Sequence, residues 1–310
     1  MAGWKAPPMA AWKPGQKATN DRHIELWGEM QRMISSHVVV NHRLTTSWLG
    51  KVEAAGIAGV EIFCAMQHLD WRNRQQVEEL GYFFRDSQLK LHSLHSPMHT
   101  DTLWGRSGPD THINITHRNK AERIRWVDEI KRVLEIAEVV PFGYLVQHLG
   151  DKDQEFREEA FEAAYNSLEE LCLFARQRGV EILLENIPNE LSSASRLRYF
   201  NEFTHLNMNF VFDTGHAHLG EGVEHEFNIM RDRVRSLHVH DNDGVNDVHL
   251  YPGTAGGTID WPAVMEMLRA RPVQYPLMLE LKEVADMQHP LNEIQRVFDH
   301  LEAPQTTHAQ

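Results

Sequence analysis

The sequence predicts an α/β protein built as a single (β/α)8 TIM barrel. Three observations carry this prediction. Short β-rich runs alternate with longer amphipathic runs, and eight of each occur. No repeat, low-complexity tract or Ser/Gly linker divides them. The rival, a doubly wound open sheet, calls for a Gly-rich phosphate loop after the first strand, and none follows "HVVVNH".

In chain order the strand candidates are 37–42, 59–64 ("GVEIFC"), 89–96 ("LKLHSLHS") and 144–150 ("YLVQHLG"). Four more follow at 180–186 ("VEILLEN"), 208–215 ("MNFVFDTG"), 234–241 ("VRSLHVHD") and 276–282 ("PLMLELK"). Helix candidates lie near 46–56, 72–87, 119–139, 155–178, 195–204, 224–232, 261–270 and 288–302. The fourth shows the signal best: apolar residues recur at three and four, and Gly179 ends the run. Residues 1–33 read as an irregular or partly helical arm whose Trp4 and Trp12 suit packing on a second copy, and residues 34–310 as the barrel.

The composition narrows the function classes. With 42% hydrophobic and 24% charged residues the chain is an ordinary soluble one, and no apolar run is long enough to span a membrane. The N-terminal stretch lacks the apolar core of a signal peptide. Its two cysteines, Cys64 and Cys172, read as buried free thiols in a reducing cytoplasm. A net charge of -13 argues against a broad nucleic-acid surface, which needs Lys and Arg in bulk. The 20 histidines, in contrast, suit metal ligation and proton transfer near neutral pH.

In a parallel barrel the site lies at the C-terminal strand ends. Those ends carry His95, His148, Glu185, Asp213 with His216 beyond it, His238 and Glu280. Residues two apart in a strand share a face, which sets Phe210 and Phe212 opposite Asp213. The same alternation sets Leu237 and Val239 opposite His238 and His240, and Leu277, Leu279 and Leu281 opposite Glu280. Apolar side chains can therefore face the helices while polar ends converge on the axis. Crowded carboxylates repel, and a divalent cation is the simplest neutraliser. Mixed oxygen and imidazole donors suit Mn²⁺, Zn²⁺ or Co²⁺, with Mg²⁺ also admissible, better than Ca²⁺. "HVHDNDGVNDVH" is not an EF-hand, because reading back from Gly244 places Val239 at the first ligand position.

Further candidates line the same mouth. The long segment 96–118 reads as a lid or a substrate-binding insertion, whose His99, Trp104, Arg106, His112 and His117 suit either substrate contact or a surface or oligomer contact. His68 and Trp71 after the second strand suit a sugar-stacking wall, and His240 suits a hydrogen bond to a ligand or substrate. Asp241 to Asn246 read as a largely solvated turn.

"LLENIPN", "FDTGHAHLG", "LHVHDND", "DVHLYPGTAGGTIDW" and "LMLELK" together resemble the xylose-isomerase-like TIM barrels, from about residue 34 onward. That group holds sugar and sugar-phosphate isomerases and epimerases, and the endonuclease-four type of apurinic endonuclease. The resemblance to the epimerase members implies one divalent metal on Glu185, Asp213, His238 and Glu280, with His216 touching substrate oxygens. It implies that Glu185 and Glu280 move a proton through a metal-stabilised enediolate of a sugar or keto-cyclitol. The nuclease members use nine ligands on three zinc ions, matched here by His95, His148, Glu185, Asp213, His216, His238, Asp247, His249 and Glu280. Net charge, a first strand without a Gly-rich, Ser-containing start, and the "GGTIDW" ending favour the sugar enzymes. A zinc-dependent apurinic endonuclease and a sugar dehydratase or lyase remain the alternatives.

Overall fold

The computed structural model of the chain describes residues 29–103, 111–284 and 290–303. The arm with Trp4 and Trp12, and the lid residues Trp104 and Arg106, lie outside them. Eight parallel strands form the barrel: β1 Arg32–Ser35, β2 Gly59–Phe63, β3 Lys90–His95, β4 Tyr144–Gln147, β5 Glu181–Glu185, β6 Asn209–Asp213, β7 Val234–His238 and β8 Leu277–Leu279. From β1 to β7 each strand pairs with the next in sequence, and β1 also pairs with β8. Closure comes from a bridge just past the end of β7, where the Val239 amide donates to the Met278 carbonyl at 2.9 Å.

The first strand differs from the sequence expectation. "HVVVNH" is not a strand; the ladder uses the preceding "RMIS", with Met33 opposite Gly59 and Met278. Ser35 ends it by accepting the His37 amide at 3.3 Å, and Ser36–Val39 coil into a 3-10 turn. Val38 is buried there without a ladder. Pairing on both sides outweighed the β-branched propensity of the valine run.

Helices fill the outer layer: α1 Thr46–Ala54, α2 Arg74–Asp86, α3 Lys120–Leu134, α4 Glu158–Arg176, α5 Ala194–Phe203, α6 Thr214–Leu219, α7 Val223–Met230, α8 Trp261–Arg269 and α9 Pro290–Glu302. Side-chain caps start several of them, among them Thr45, Asn73, Asn119 and Asp260. The short α6 was not expected, and Asp213 itself caps it, accepting the His216 amide at 2.6 Å.

Outward strand residues such as Ile62, Leu184, Phe210, Phe212, Leu237, Val239, Leu279 and Leu281 form one core with the helices. Val146, Leu183 and Val211 pack separately inside the barrel. The period-two reading of strand faces therefore holds where the site is built. Cys64 is buried and Cys172 half-buried, and both are free thiols. Among the described residues no helix is long and apolar enough to cross a membrane.

Candidate metal centre

The strand ends bring Glu185, Asp213, His238 and Glu280 together, each buried, with one ligand atom apiece inside a 4.8 Å cluster. His238 Nδ1 stands 3.2 Å from Glu185 Oε1, 3.1 Å from Glu280 Oε2 and 3.9 Å from Asp213 Oδ2. Yet His238 Nδ1 and Glu185 Oε1 are buried without a hydrogen bond. Donors about 2.0–2.2 Å from one ion sit roughly 3–3.6 Å from each other, so these spacings match a coordination shell better than a hydrogen-bond network. Three carboxylates around one imidazole nitrogen form a donor set that fits a divalent cation.

Two further groups adjoin the first. His95 Nε2, His148 Nε2 and Glu185 Oε2 form a triangle with sides of 3.2, 2.9 and 3.5 Å. Glu185 thus offers one oxygen to each group. His216, His240, Asp247 and His249 form the other. Asp247 stands 3.3 Å from His216 Nε2 and 3.4 Å from His249 Nε2.

Backbone carbonyls aim most of these rings. His95 Nδ1 meets the Ser96 carbonyl at 2.9 Å, His216 Nδ1 that of Asn186 at 3.0 Å and His249 Nδ1 that of Glu280 at 3.1 Å. Each bond leaves Nε2 as the free ligand atom. Asn186 also ties strand ends together, donating to the Asp213 carbonyl at 3.0 Å and accepting its amide at 2.8 Å. Gly215 has to be glycine, because a Cβ there would lie 2.0 Å from the His240 ring.

Opposite charges dominate the electrostatics. Burial alone would raise Glu185 and Glu280, but His238, with His148 beside Glu185, pulls both well below the usual carboxylate range. Burial would lower His238, yet Glu280, Glu61 and Glu185 hold it well above an ordinary histidine. His216 is likewise held high, against burial, by Asp213, Asp247 and Glu185. Against its own burial, Asp247 and Glu280 raise His249 to about 9. His148 is lowered, because burial outweighs the pull of Glu185. Protonated imidazoles are therefore the cationic partners of these carboxylates.

The "HVHDNDGVNDVH" stretch is less solvated than expected. Asp241 and Asn242 are buried. One Asp241 oxygen accepts the amides of Asn242, Thr258 and Ile259 at 2.8–3.1 Å, and the other accepts Trp261 Nε1 at 2.6 Å. A Cβ at Gly257 would lie 2.3 Å from that carboxylate. Asp241 therefore staples both ends of the loop that carries Asp247 and His249. His249 adopts φ 44°, a left-handed conformation uncommon outside glycine, and its carbonyl accepts from Lys282 at 3.0 Å.

Other sequence candidates sit elsewhere. His68 is fully buried, bonded to the His42 carbonyl at 2.6 Å and Ser36 Oγ at 2.9 Å. Trp71 is buried with its indole N–H donating to Glu129 of α3 at 3.3 Å, which turns it toward the outer layer. His240 meets Asp213 at 3.1 Å and stacks on His249 at 3.9 Å. A cavity of about 160 Å³ opens beside the two outer groups, bordered by His148, His216, Asp247, His112, Gln147 and Lys152. Glu61 and His37 were not singled out from the sequence. Glu61, inside β2, stands 3.0 Å from His238 Nε2, and the His37 ring lies 4.7 Å from that of His249.

A family model described as the xylose isomerase-like TIM barrel matches residues 49–303. The uncharacterized protein MJ1311 of Methanocaldococcus jannaschii is 26% identical over 271 residues, covering 83% of this chain and 86% of its own. A D-tagatose 3-epimerase-like protein superposes with a TM-score of 0.70 at 21% identity, over 88% of this chain and 97% of that one. The IolI protein, solved with a zinc atom bound, superposes at 0.69 and 16% identity, over 88% and 98%.

Proposed function

The chain belongs to the xylose isomerase-like TIM barrel family, and from that premise we propose that it is a divalent-metal-dependent isomerase or epimerase of a sugar, sugar phosphate or keto-cyclitol. One observation carries the reading: Glu185 and Glu280 approach the same His238 nitrogen, at 3.2 and 3.1 Å, from non-adjacent strands. Glu185, Asp213, His238 and Glu280 would hold the cation. When bound, Mn²⁺, Zn²⁺, Co²⁺ or Mg²⁺ supplies Lewis-acid stabilisation of the charge that builds on a carbonyl and its neighbouring hydroxyl.

The chain's own residues do the rest. Glu185 and Glu280 are ionised at neutral pH, so either can accept the proton from the carbon beside the carbonyl. Return of the proton to the neighbouring carbon by the same carboxylate gives isomerisation, and its return to the original carbon from the opposite face by the other carboxylate gives epimerisation. His216 and His148 border the cavity and can hold substrate hydroxyls. The free thiols of Cys64 and Cys172 support a reducing, cytoplasmic setting.

The test is proton exchange in heavy water with a panel of ketoses and aldoses, read by loss of the carbon-bound proton signal. Glu280→Gln should slow exchange and turnover by at least about 1,000-fold while leaving the fold intact. A fully active Glu280→Gln protein would remove the assignment.

The two further ligand groups around Glu185 favour a second reading, a metal-dependent phosphodiesterase acting at abasic DNA. Incision of an abasic oligonucleotide at physiological salt distinguishes it. The net charge of -13 weighs against that substrate.

A further inference from the structure

A glutamate inside a barrel strand calls for an explanation. Glu61 lies in β2 with its carboxylate fully buried, in register with Ser93 of β3. Burying an ionised carboxylate costs several kcal/mol in order of magnitude unless charge and hydrogen bonds offset it. Ser93 Oγ donates to Glu61 Oε2 at 2.7 Å, which satisfies one oxygen only. The other, Oε1, has no hydrogen bond and faces His238 Nε2 at 3.0 Å. His238 Nε2 has no hydrogen bond either, and its ring is fully buried. The two atoms are at bonding distance but meet obliquely.

His238 also differs from the other ligand histidines. His95, His216 and His249 aim one ring nitrogen at a backbone carbonyl and offer Nε2 outward. His238 is reversed: Nδ1 points to the carboxylates of Glu185 and Glu280, and Nε2 points to a side chain. A carboxylate behind a ligand imidazole fixes the tautomer and ring angle and strengthens the ligand, more so than a neutral carbonyl.

We propose that Glu61 is a positioning residue for the metal centre: anchored by Ser93, it holds His238 with its proton on Nε2 and Nδ1 presented to the cation. This rests on the reading that Glu185, Asp213, His238 and Glu280 bind a divalent metal.

The test uses chelator-stripped protein titrated with Co²⁺ alone, read by its visible absorption and by competition with a chelating dye. The relevant binding step is the one that Asp213→Ala removes. Glu61→Gln should weaken that step about 10–100-fold and shift its absorption band, while the melting temperature of the metal-free protein stays within a few degrees. Co²⁺ affinity within about twofold of wild type, with an unshifted band, would overturn the proposal and leave Glu61 a partner of Ser93 only. Should Glu61→Gln not fold, Ser93→Ala takes its place: a loss of about threefold or more upholds the role, and unchanged affinity overturns it. Wild-type protein that takes up no Co²⁺ would overturn the metal reading itself, an outcome distinct from the failure of Glu61 alone.

Discussion

Of the three ligand groups at the mouth of the barrel, two are held in place by different physics. Glu185, Asp213 and His238 are the last residues of β5, β6 and β7, and Glu280 follows directly on β8. Laddered neighbours fix their spacing, as in the pairing of Asp213 with His238. All four are buried. The second group is assembled from less rigid parts. His216 rides on the short α6, and Asp247 and His249 ride on a loop whose course depends on Asp241. Asp247 is exposed, and His249 holds a strained backbone angle. A barrel of this kind can thus keep an invariant floor while altering its rim, because the floor's geometry is paid for by the sheet and the rim's by a few side chains.

The sharpest way to separate the two is Asp247→Ala. The substitution removes the acceptor shared by His216 and His249, both within 3.4 Å of it. Under the phosphodiesterase reading, in which the loop-borne group holds an ion of its own, its metal affinity should fall by at least about 100-fold and the chain should retain one fewer ion in element analysis; under the single-metal sugar-enzyme reading the ion count stays the same. Affinity at the strand-borne group should change by less than about threefold, as expected of sites without a shared ligand. A collapse at both would show that Glu185, which stands 3.2 Å from His216 Nδ1, couples them into one unit.

Proton linkage sharpens the comparison further. The strand-borne group holds one histidine with a raised pKa, His238, whereas the loop-borne group holds two: His216, held well above the ordinary value, and His249, raised to about 9. A cation must displace those protons, so affinity rises with pH until the folded-state value of each histidine is passed, about 9 for His249, and then flattens. The slope should be about tenfold per pH unit for each proton released, hence steeper at the loop-borne group. The metal-free protein behaves oppositely. A histidine raised on folding stabilises fully below its unfolded value near 6.5, and that contribution is lost as pH rises through the folded value. Calorimetry in buffers of different ionisation enthalpy counts the protons; equal release at both groups would break the distinction.

The same contrast explains what the sequence made legible. Phe210 and Phe212 against Asp213, and Leu279 and Leu281 against Glu280, are period-two patterns with one apolar and one polar face, so strand and site were read together. Glu61 was not, because "GVEIF" is buried on both faces and gives no sign of which side meets His238. The first strand was displaced because "RMIS" has weaker β-propensity than the valines that follow, and only pairing with β2 and β8 selects it. Trp71 read as a mouth residue from its position after β2, yet the buried acceptor Glu129 draws it outward, a partner 58 residues away. Asp241 looked like part of a solvated turn because its four donors come mostly from a segment more than fifteen residues on. Local pattern reports faces and periods; it does not report partners across the fold.

The smallest effect, and the most specific to the rim, is expected of Asp241→Asn. One amide oxygen can still accept the Thr258 and Ile259 amides, but the side-chain NH₂ then confronts the Trp261 indole N–H, a donor against a donor. Leaving a buried donor unsatisfied costs about 1–3 kcal/mol, concentrated in the loop that Asp241 ties to α8. Exchange of the Thr258 and Ile259 amides should therefore quicken by about tenfold or more, and any ion taken up by His216, Asp247 and His249 should bind a few-fold more weakly. Exchange in β5 and β6, and metal binding on the strand ends, should stay unchanged. Hydrogen-exchange mass spectrometry reads both regions in one experiment. Equal protection of Thr258 in variant and wild type would mean that the backbone pairing of Asp241 with Leu250, at 2.8 Å, holds the rim without the carboxylate.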